Sequence, residues 1–130
     1  MYASPFGIVA VEQNDPEVAT TPVFSRTQWQ AYDPTTIKAA FYEQKYFGSS
    51  DNTSFIFNPA TKDFVLVDQL FSAYYADPST DTLYVLKSDG SIAAWDRGST
   101  FLTYTWTSKV FQLPMPSNFG VAQEIGRAHV

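Results

Sequence analysis

The chain of 130 residues contains no cysteine. That excludes a disulfide framework and any thiolate metal site. Histidine is almost as scarce, one residue at position 129, so a Cys-His pair lacks its nucleophile and a Ser-His pair would depend on that single base. The six glycines are scattered singly, and none belongs to a clustered loop that could cradle a phosphate. Charged residues make up only 16%, with 8 basic against 13 acidic and a net charge of −5. Such a balance is not suited to gripping a phosphate backbone, so tight nucleic-acid binding is not expected. No apolar run approaches the ~18 residues that a spanning helix needs, so no membrane insertion is expected. The opening Met1-Tyr2-Ala3-Ser4-Pro5 has neither a positive nor an apolar signal-peptide region.

What is present is apolar and aromatic. Hydrophobic residues reach 45%, with eleven Phe, eight Tyr and three Trp, too many for a disordered chain. The length fits at most one complete domain. The last seven residues, Glu124-Ile125-Gly126-Arg127-Ala128-His129-Val130, read as one frame of a translated sequencing adapter. The expectation is therefore a single β-rich fragment of a longer protein over 1–123, with adapter read-through over 124–130. His129 then drops out of the chemistry.

Alternation with a period of two dominates the pattern, which is the signature of half-buried strands. Over 101–111, Leu102, Tyr104, Trp106, Ser108 and Val110 fall on one face and a threonine-rich set on the other. Pro114 and Pro116 stop that strand. Two hairpins stand upstream. The runs 55–57 and 64–67 flank a loop over 58–63, and the runs 83–86 and 92–95 flank Lys87-Ser88-Asp89-Gly90-Ser91. Asp-Gly between apolar runs favours a hairpin turn. Further strands are expected over 6–11, 40–47 and 71–76. A helix start, as short as a single turn, is expected over Asp33-Pro34-Thr35-Thr36, with Asp33 able to N-cap and Pro34 in the first position.

The hairpins repeat. A shift of 28 positions lays Phe55-Ile56-Phe57 on Leu83-Tyr84-Val85 and Phe64-Val65-Leu66-Val67-Asp68 on Ile92-Ala93-Ala94-Trp95-Asp96. Stacked antiparallel units of a propeller and a plain β-meander both account for this. The expected fold class is all-β: antiparallel hairpins or a meander, part of a β-propeller or a similar repeated-sheet body.

No catalytic, cofactor-binding or metal-ligating set stands out. Lys38, Lys45, Lys62, Lys87 and Lys109 sit at strand edges or turns, as solvated charge. Asp63, Asp68, Asp77, Asp81, Asp89 and Asp96 offer paired carboxylates for glycoside hydrolysis. They lie beside turn residues, where Asp caps backbone N–H groups. Of the tryptophans, Trp95 and Trp106 read as core. Trp29, in the polar stretch Thr27-Gln28-Trp29-Gln30, reads as the one partly exposed and free to stack on a sugar.

A longer set of residues carries a resemblance. It comprises Trp29-Gln30-Ala31-Tyr32-Asp33-Pro34-Thr35-Thr36-Ile37-Lys38-Ala39-Ala40, then Tyr42 and Tyr46, and further on Leu83-Tyr84, Ile92 and Trp95. Its strongest part is Tyr104-Thr105-Trp106-Thr107-Ser108-Lys109-Val110-Phe111-Gln112-Leu113-Pro114-Met115-Pro116-Ser117-Asn118-Phe119-Gly120. This resembles the Trp-Ser-Lys strand, Pro-x-Pro break and Asn-Phe stretch of the tail nozzle, or tube-tip, proteins of tailed-phage virions. The resemblance implies a non-enzymatic structural component of the virion, located in the particle after assembly in the host cytoplasm. It implies contacts with other tail proteins, a homo-oligomer in the full-length form, and no cofactor. The acidic balance is compatible with a conduit along which DNA slides. Two other readings stand beside it: a carbohydrate-binding β-module, and a fragment of a β-propeller glycosidase using paired Asp.

Overall fold

A computed structural model describes residues 1–12, 15–100, 103, 105, 107, 110 and 112. The chain divides into two compact units, Met1–Trp95 and Asp96–Val130, and every strand among the described residues lies in the first. The fold is all-β. Strands consecutive in sequence pair antiparallel into three sheets. The first sheet holds β1 (Tyr2–Ser4), β2 (Gly7–Glu12) and β3 (Asp15–Val18). The middle sheet holds β4 (Lys38–Tyr42), β5 (Lys45–Ser49), β6 (Ser54–Asn58) and β7 (Asp63–Val67). The third holds β8 (Phe71–Asp77), β9 (Thr82–Lys87) and β10 (Ile92–Ala94). No closed barrel or propeller ring is formed among the described residues.

The expected strands over 6–11, 55–57, 64–67, 71–76 and 83–86 all appear, and their turns follow the anticipated chemistry. The Asn58 carboxyl-amide oxygen accepts from the Ala60 and Thr61 N–H groups. Asp89 Oδ1 accepts from the Ser91 N–H, while Gly90 takes a φ of 84° that suits glycine. One expectation is corrected. The span 40–47 is two strands, because Glu43 and Gln44 adopt φ values of 46° and 60° and form a two-residue hairpin turn. The alternation runs on through such a turn, so the sequence shows no break.

The helical start expected at Asp33 appears as a single 3₁₀ turn, Pro34–Thr36, with Pro34 in its first position, and a further, unanticipated α-helix α1 covers Arg26–Gln30. Ser25 starts α1 with a capping box: its hydroxyl accepts from the Gln28 N–H, and the Gln28 side chain accepts from the Ser25 N–H. Asp33 makes no side-chain hydrogen bond to the backbone there and instead accepts from the Thr35 hydroxyl. The strand expected over 101–111 lies mostly outside the described residues. Thr103, Thr105, Thr107 and Val110 are described outside any strand and are exposed.

The middle sheet is covered on both faces, and alternation sorts its side chains. Tyr46, Phe55 and Phe57 point toward the first sheet and α1, where they pack with Ile8, Ala19 and Trp29. Phe47, with Ile56 beside it, points toward the third sheet and packs with Phe71, Leu83 and Val85. Two-sided burial explains why β5 and β6 carry apolar residues at successive positions, as central strands covered on both faces do. Gly48 sits opposite Phe55, and a Cβ there would come within 2.5 Å of the ring. The missing side chain lets the ring lie across the strand.

The 28-residue repeat is a repeat of strand register. The pairs Tyr46↔Phe57, Phe47↔Ile56, Gly48↔Phe55 and Ser49↔Ser54 in the middle sheet become Tyr74↔Val85, Tyr75↔Tyr84, Ala76↔Leu83 and Asp77↔Thr82 in the third. Size is compensated within the repeat, with Gly opposite Phe in one copy and Ala opposite Leu in the other. The match ends at the last strand. Phe57 pairs with Phe64, whereas Val85 pairs with Ala93, one residue past the shifted position.

Candidate functional site

The carboxylates singled out in the sequence lie at turns and strand ends. Asp63, Asp68, Asp81, Asp89 and Asp96 are all exposed. The Ser79 hydroxyl, the Ser79 N–H and the Thr80 hydroxyl hold the Asp77 carboxyl below its usual range. The Ser91 hydroxyl and N–H do the same for Asp89. Donors aimed at the ionised form suit a turn. A general acid in glycoside hydrolysis needs the opposite shift. Among the described residues, no group of three or more His, Asp or Glu could hold a metal ion.

The lysines stand where the sequence placed them, except Lys109, which lies outside the described residues. Lys38 opens β4, Lys45 opens β5, Lys87 ends β9, and Lys62 occupies the β6–β7 turn with a φ of 63°. Lys38 faces Asp51 at 4.0 Å with both side chains largely exposed, a contact worth little in water.

The tryptophan reading is corrected at Trp29. It is 1% exposed, the largest of the fully buried side chains. Capping fixes α1 so that Trp29 falls on its inner side. Its indole N–H donates to the Ser4 carbonyl at 2.7 Å, and its ring lies 6.3 Å from Phe24 and 6.1 Å from Phe55. Phe24 precedes the cap and Trp29 follows four residues after it, the spacing of a hydrophobic staple. The Ser25-x-x-Gln28 capping box in the sequence is the signal that would have placed this helix. Trp95 is half-buried and meets Phe47 and Phe71, as a core residue should. Trp106 lies outside the described residues.

A concave site nevertheless exists in a place the sequence did not suggest. A groove of about 460 Å³ runs between the first strand, the 3₁₀ turn and the start of β4. Tyr2, Pro5, Phe41 and Tyr46 provide aromatic and proline walls, and Ser4 and Thr35 provide hydroxyls. No charged side chain lines it. Burial pushes the Tyr46 hydroxyl up to about 12, against the opposing effect of a backbone hydrogen bond at Ala3. It therefore stays protonated at neutral pH and is no base. The groove's residues come from three separated stretches, so no local motif announces it.

Between the middle and third sheets lies a polar cluster, also unanticipated. Ser49 and Ser54 exchange a hydrogen bond of 2.7 Å, and both are buried. Ser49 also bonds the Tyr74 hydroxyl, and Ser54 accepts from the Phe71 N–H at 3.3 Å. Burial raises the Tyr74 hydroxyl above its usual range, against the opposing hydrogen bonds of Ser49 and Ser54. The cluster joins two sheets and presents no group to solvent chemistry. No helix among the described residues is long and apolar enough to cross a membrane. No family model, curated protein or solved structure matches the chain.

Proposed function

We propose that the chain is a non-enzymatic structural component of a phage virion, of the tail or nozzle type, acting through protein–protein contacts. The observation that carries the reading is the register-matched stack. Several of the residues behind the resemblance go into building it. Trp29 fills one core, Tyr46 and Tyr42 line the two faces of the middle sheet, and Leu83 and Trp95 fill the other core. A framework built this way spends its aromatic residues on sheet-to-sheet packing.

The finer proposal is that the middle and third sheets are successive blades of a propeller-like body. Support comes from their meander topology, their face-to-face stacking, and the approach of β4 to β8, the first strands of adjacent sheets. In the full-length form the partners would be other tail proteins and further copies of the same protein. The carbohydrate-binding alternative takes Tyr and Trp side chains as stacking platforms, and Trp29, the tryptophan read as exposed, is buried and offers none.

The neighbouring reading frames of the gene test the assignment. Portal, terminase or other tail genes on the same contig are the expected result. A neighbourhood of metabolic or secretion genes overturns it.

A further inference from the structure

β7 (Asp63–Val67) closes one side of the middle sheet. It pairs with β6 without a register shift, and no described strand pairs along its other side. An edge of this kind holds out a row of backbone N–H and C=O groups, a template for another strand. Its side chains are open too, with Val65 55% and Leu66 58% exposed. The other edges carry features that oppose pairing. β1 and β10 are three residues long. β3 has Pro16 between Asp15 and Glu17. β4 opens on Lys38, β8 is broken by a bulge between Phe71 and Ala73, and these two lie against each other. Short length, charge, proline, bulges and cover are how edges are kept from pairing. β7 has five residues, no proline, no bulge, and one charge, Asp63 at its first position.

The residues around this strand say which partner fits it. Lys62 stands three positions before Val65, and Asp68 three positions after it. Two antiparallel copies related by a two-fold axis at Val65 set Val65 opposite itself and Phe64 opposite Leu66. The same register sets Lys62 opposite Asp68 at both ends. Moving the axis to Phe64 or to Leu66 sets Lys62 against Leu66 or Leu70 and loses both charge pairs. We propose that β7 is a strand-addition edge joining two copies of the chain antiparallel about a two-fold axis at Val65, so that two four-stranded sheets become one continuous sheet.

The charge pattern is what selects a second copy. It reads as its own complement about Val65, as an isologous contact requires. Opposite charges facing across a strand pair are favourable, and like charges are not. The register also extends the packing on both faces. Phe64 and Leu66 share the face of Phe57 and Phe55. Phe64 already meets the rings of Phe24, Tyr32 and Phe55, and Leu66 of the other copy would lie beside it. On the opposite face the two Val65 side chains meet beyond Ile56. Strand addition draws its affinity from main-chain hydrogen bonds rather than from broad area. Five residues span only about 17 Å, so the association is weak and concentration-dependent. The proposal is independent of the virion assignment.

Sedimentation equilibrium on the full chain at low salt, from micromolar to submillimolar concentration, tests it. The average mass is expected to rise toward two chains and stop there, because the axis uses up the edge. Val65→Lys should abolish the rise and leave the circular dichroism unchanged. Lys62→Asp sets like charges opposite each other at both ends and should weaken association about tenfold. Adding Asp68→Lys to it should restore the original affinity. Both positions lie outside the strand, so they read the register even where a change within β7 disturbs folding. Because the chain has no cysteine, an introduced thiol reports the axis. Val65→Cys should form a disulfide-linked dimer on mild oxidation, and Ile92→Cys, 72% exposed on the third sheet, should not. A mass that stays at one chain, or climbs past two, overturns the proposal. So does failure of the double charge reversal to restore affinity, or cross-linking of Ile92→Cys as readily as of Val65→Cys.

Discussion

The two cores on either side of the middle sheet are built by different means. The one toward the first sheet is an aromatic cluster in which Phe24, Trp29, Tyr32, Phe55 and Phe64 touch in succession. It depends on one capped helical turn to deliver Trp29. The one toward the third sheet is more aliphatic, centred on Leu83 and Val85, and is pinned by the Ser49–Ser54–Tyr74 cluster. The difference teaches that equivalent sheet faces can be sealed by an added helix or by hydrogen bonds. The first core adds Phe24, Trp29 and Tyr32 from outside the repeat and is sensitive to volume. The second uses Tyr74, Leu83 and Val85, the 28-residue counterparts of Tyr46, Phe55 and Phe57, and is sensitive to lost hydrogen bonds.

Substitutions can break that contrast, starting with the largest effect. Trp29→Ala removes the biggest buried ring and an indole hydrogen bond, and should destabilise by about 3–5 kcal/mol in urea unfolding. Leu83→Ala, fully buried in the other core, should cost about 3 kcal/mol. A loss there equal to or above that of Trp29→Ala would reverse the ranking of the two cores.

Alkaline pH sharpens the comparison. The Tyr46 hydroxyl is raised from 10.0 to about 12 when folded. The folded state thus keeps a proton that the unfolded chain releases. Stability from this group is intact below pH 10 and is lost as pH rises toward 12. The loss is roughly 2–3 kcal/mol across that window. Tyr46→Phe should flatten this part of the decline, read as the urea midpoint at pH 8 against pH 11. An unchanged decline in Tyr46→Phe would remove the hydroxyl as its source.

Smaller effects separate hydrogen bonding from volume. Ser54→Ala leaves the buried Phe71 N–H without its acceptor and should cost about 1–3 kcal/mol, although only one oxygen is deleted. The β9–β10 turn closes with Gly90 at a φ of 84°, while the β6–β7 turn carries Lys62 at 63°. Gly90→Ala should cost roughly 1 kcal/mol, and Lys62→Gly should cost little or slightly stabilise. Equal responses from the two would mean that the turns share one geometry.

The hairpins β6–β7 and β8–β9–β10 were legible because their turns advertise themselves. Asn58-Pro59 and Asp89-Gly90 are residues whose side chains or conformational freedom make the turn. The β4–β5 turn was not legible, since Glu43 and Gln44 hold positive φ without glycine or asparagine. Tertiary pairing on both sides imposes it. Trp29 was misread because a five-residue helix offers less than two turns of periodicity, and its sequence neighbours are polar. The capping box was the available signal and needs no periodicity. The groove and the serine cluster join residues far apart in the chain, so only the folded sheets bring them together. The repeat, visible as two similar hairpins, gained its meaning from strand pairing, with four matched residue pairs and then a one-residue slip.

Every ladder among the described residues joins strands that are neighbours in sequence. This has a consequence for synthesis. The middle sheet spans residues 38–67, which a ribosome adding about 5–20 residues per second delivers in roughly 2–6 seconds. A hairpin closes in about 1–10 microseconds. Each meander can therefore form as soon as its last strand emerges, without waiting for a distant part of the chain. The third sheet then meets a finished surface, and the protein can assemble in the order in which it is translated.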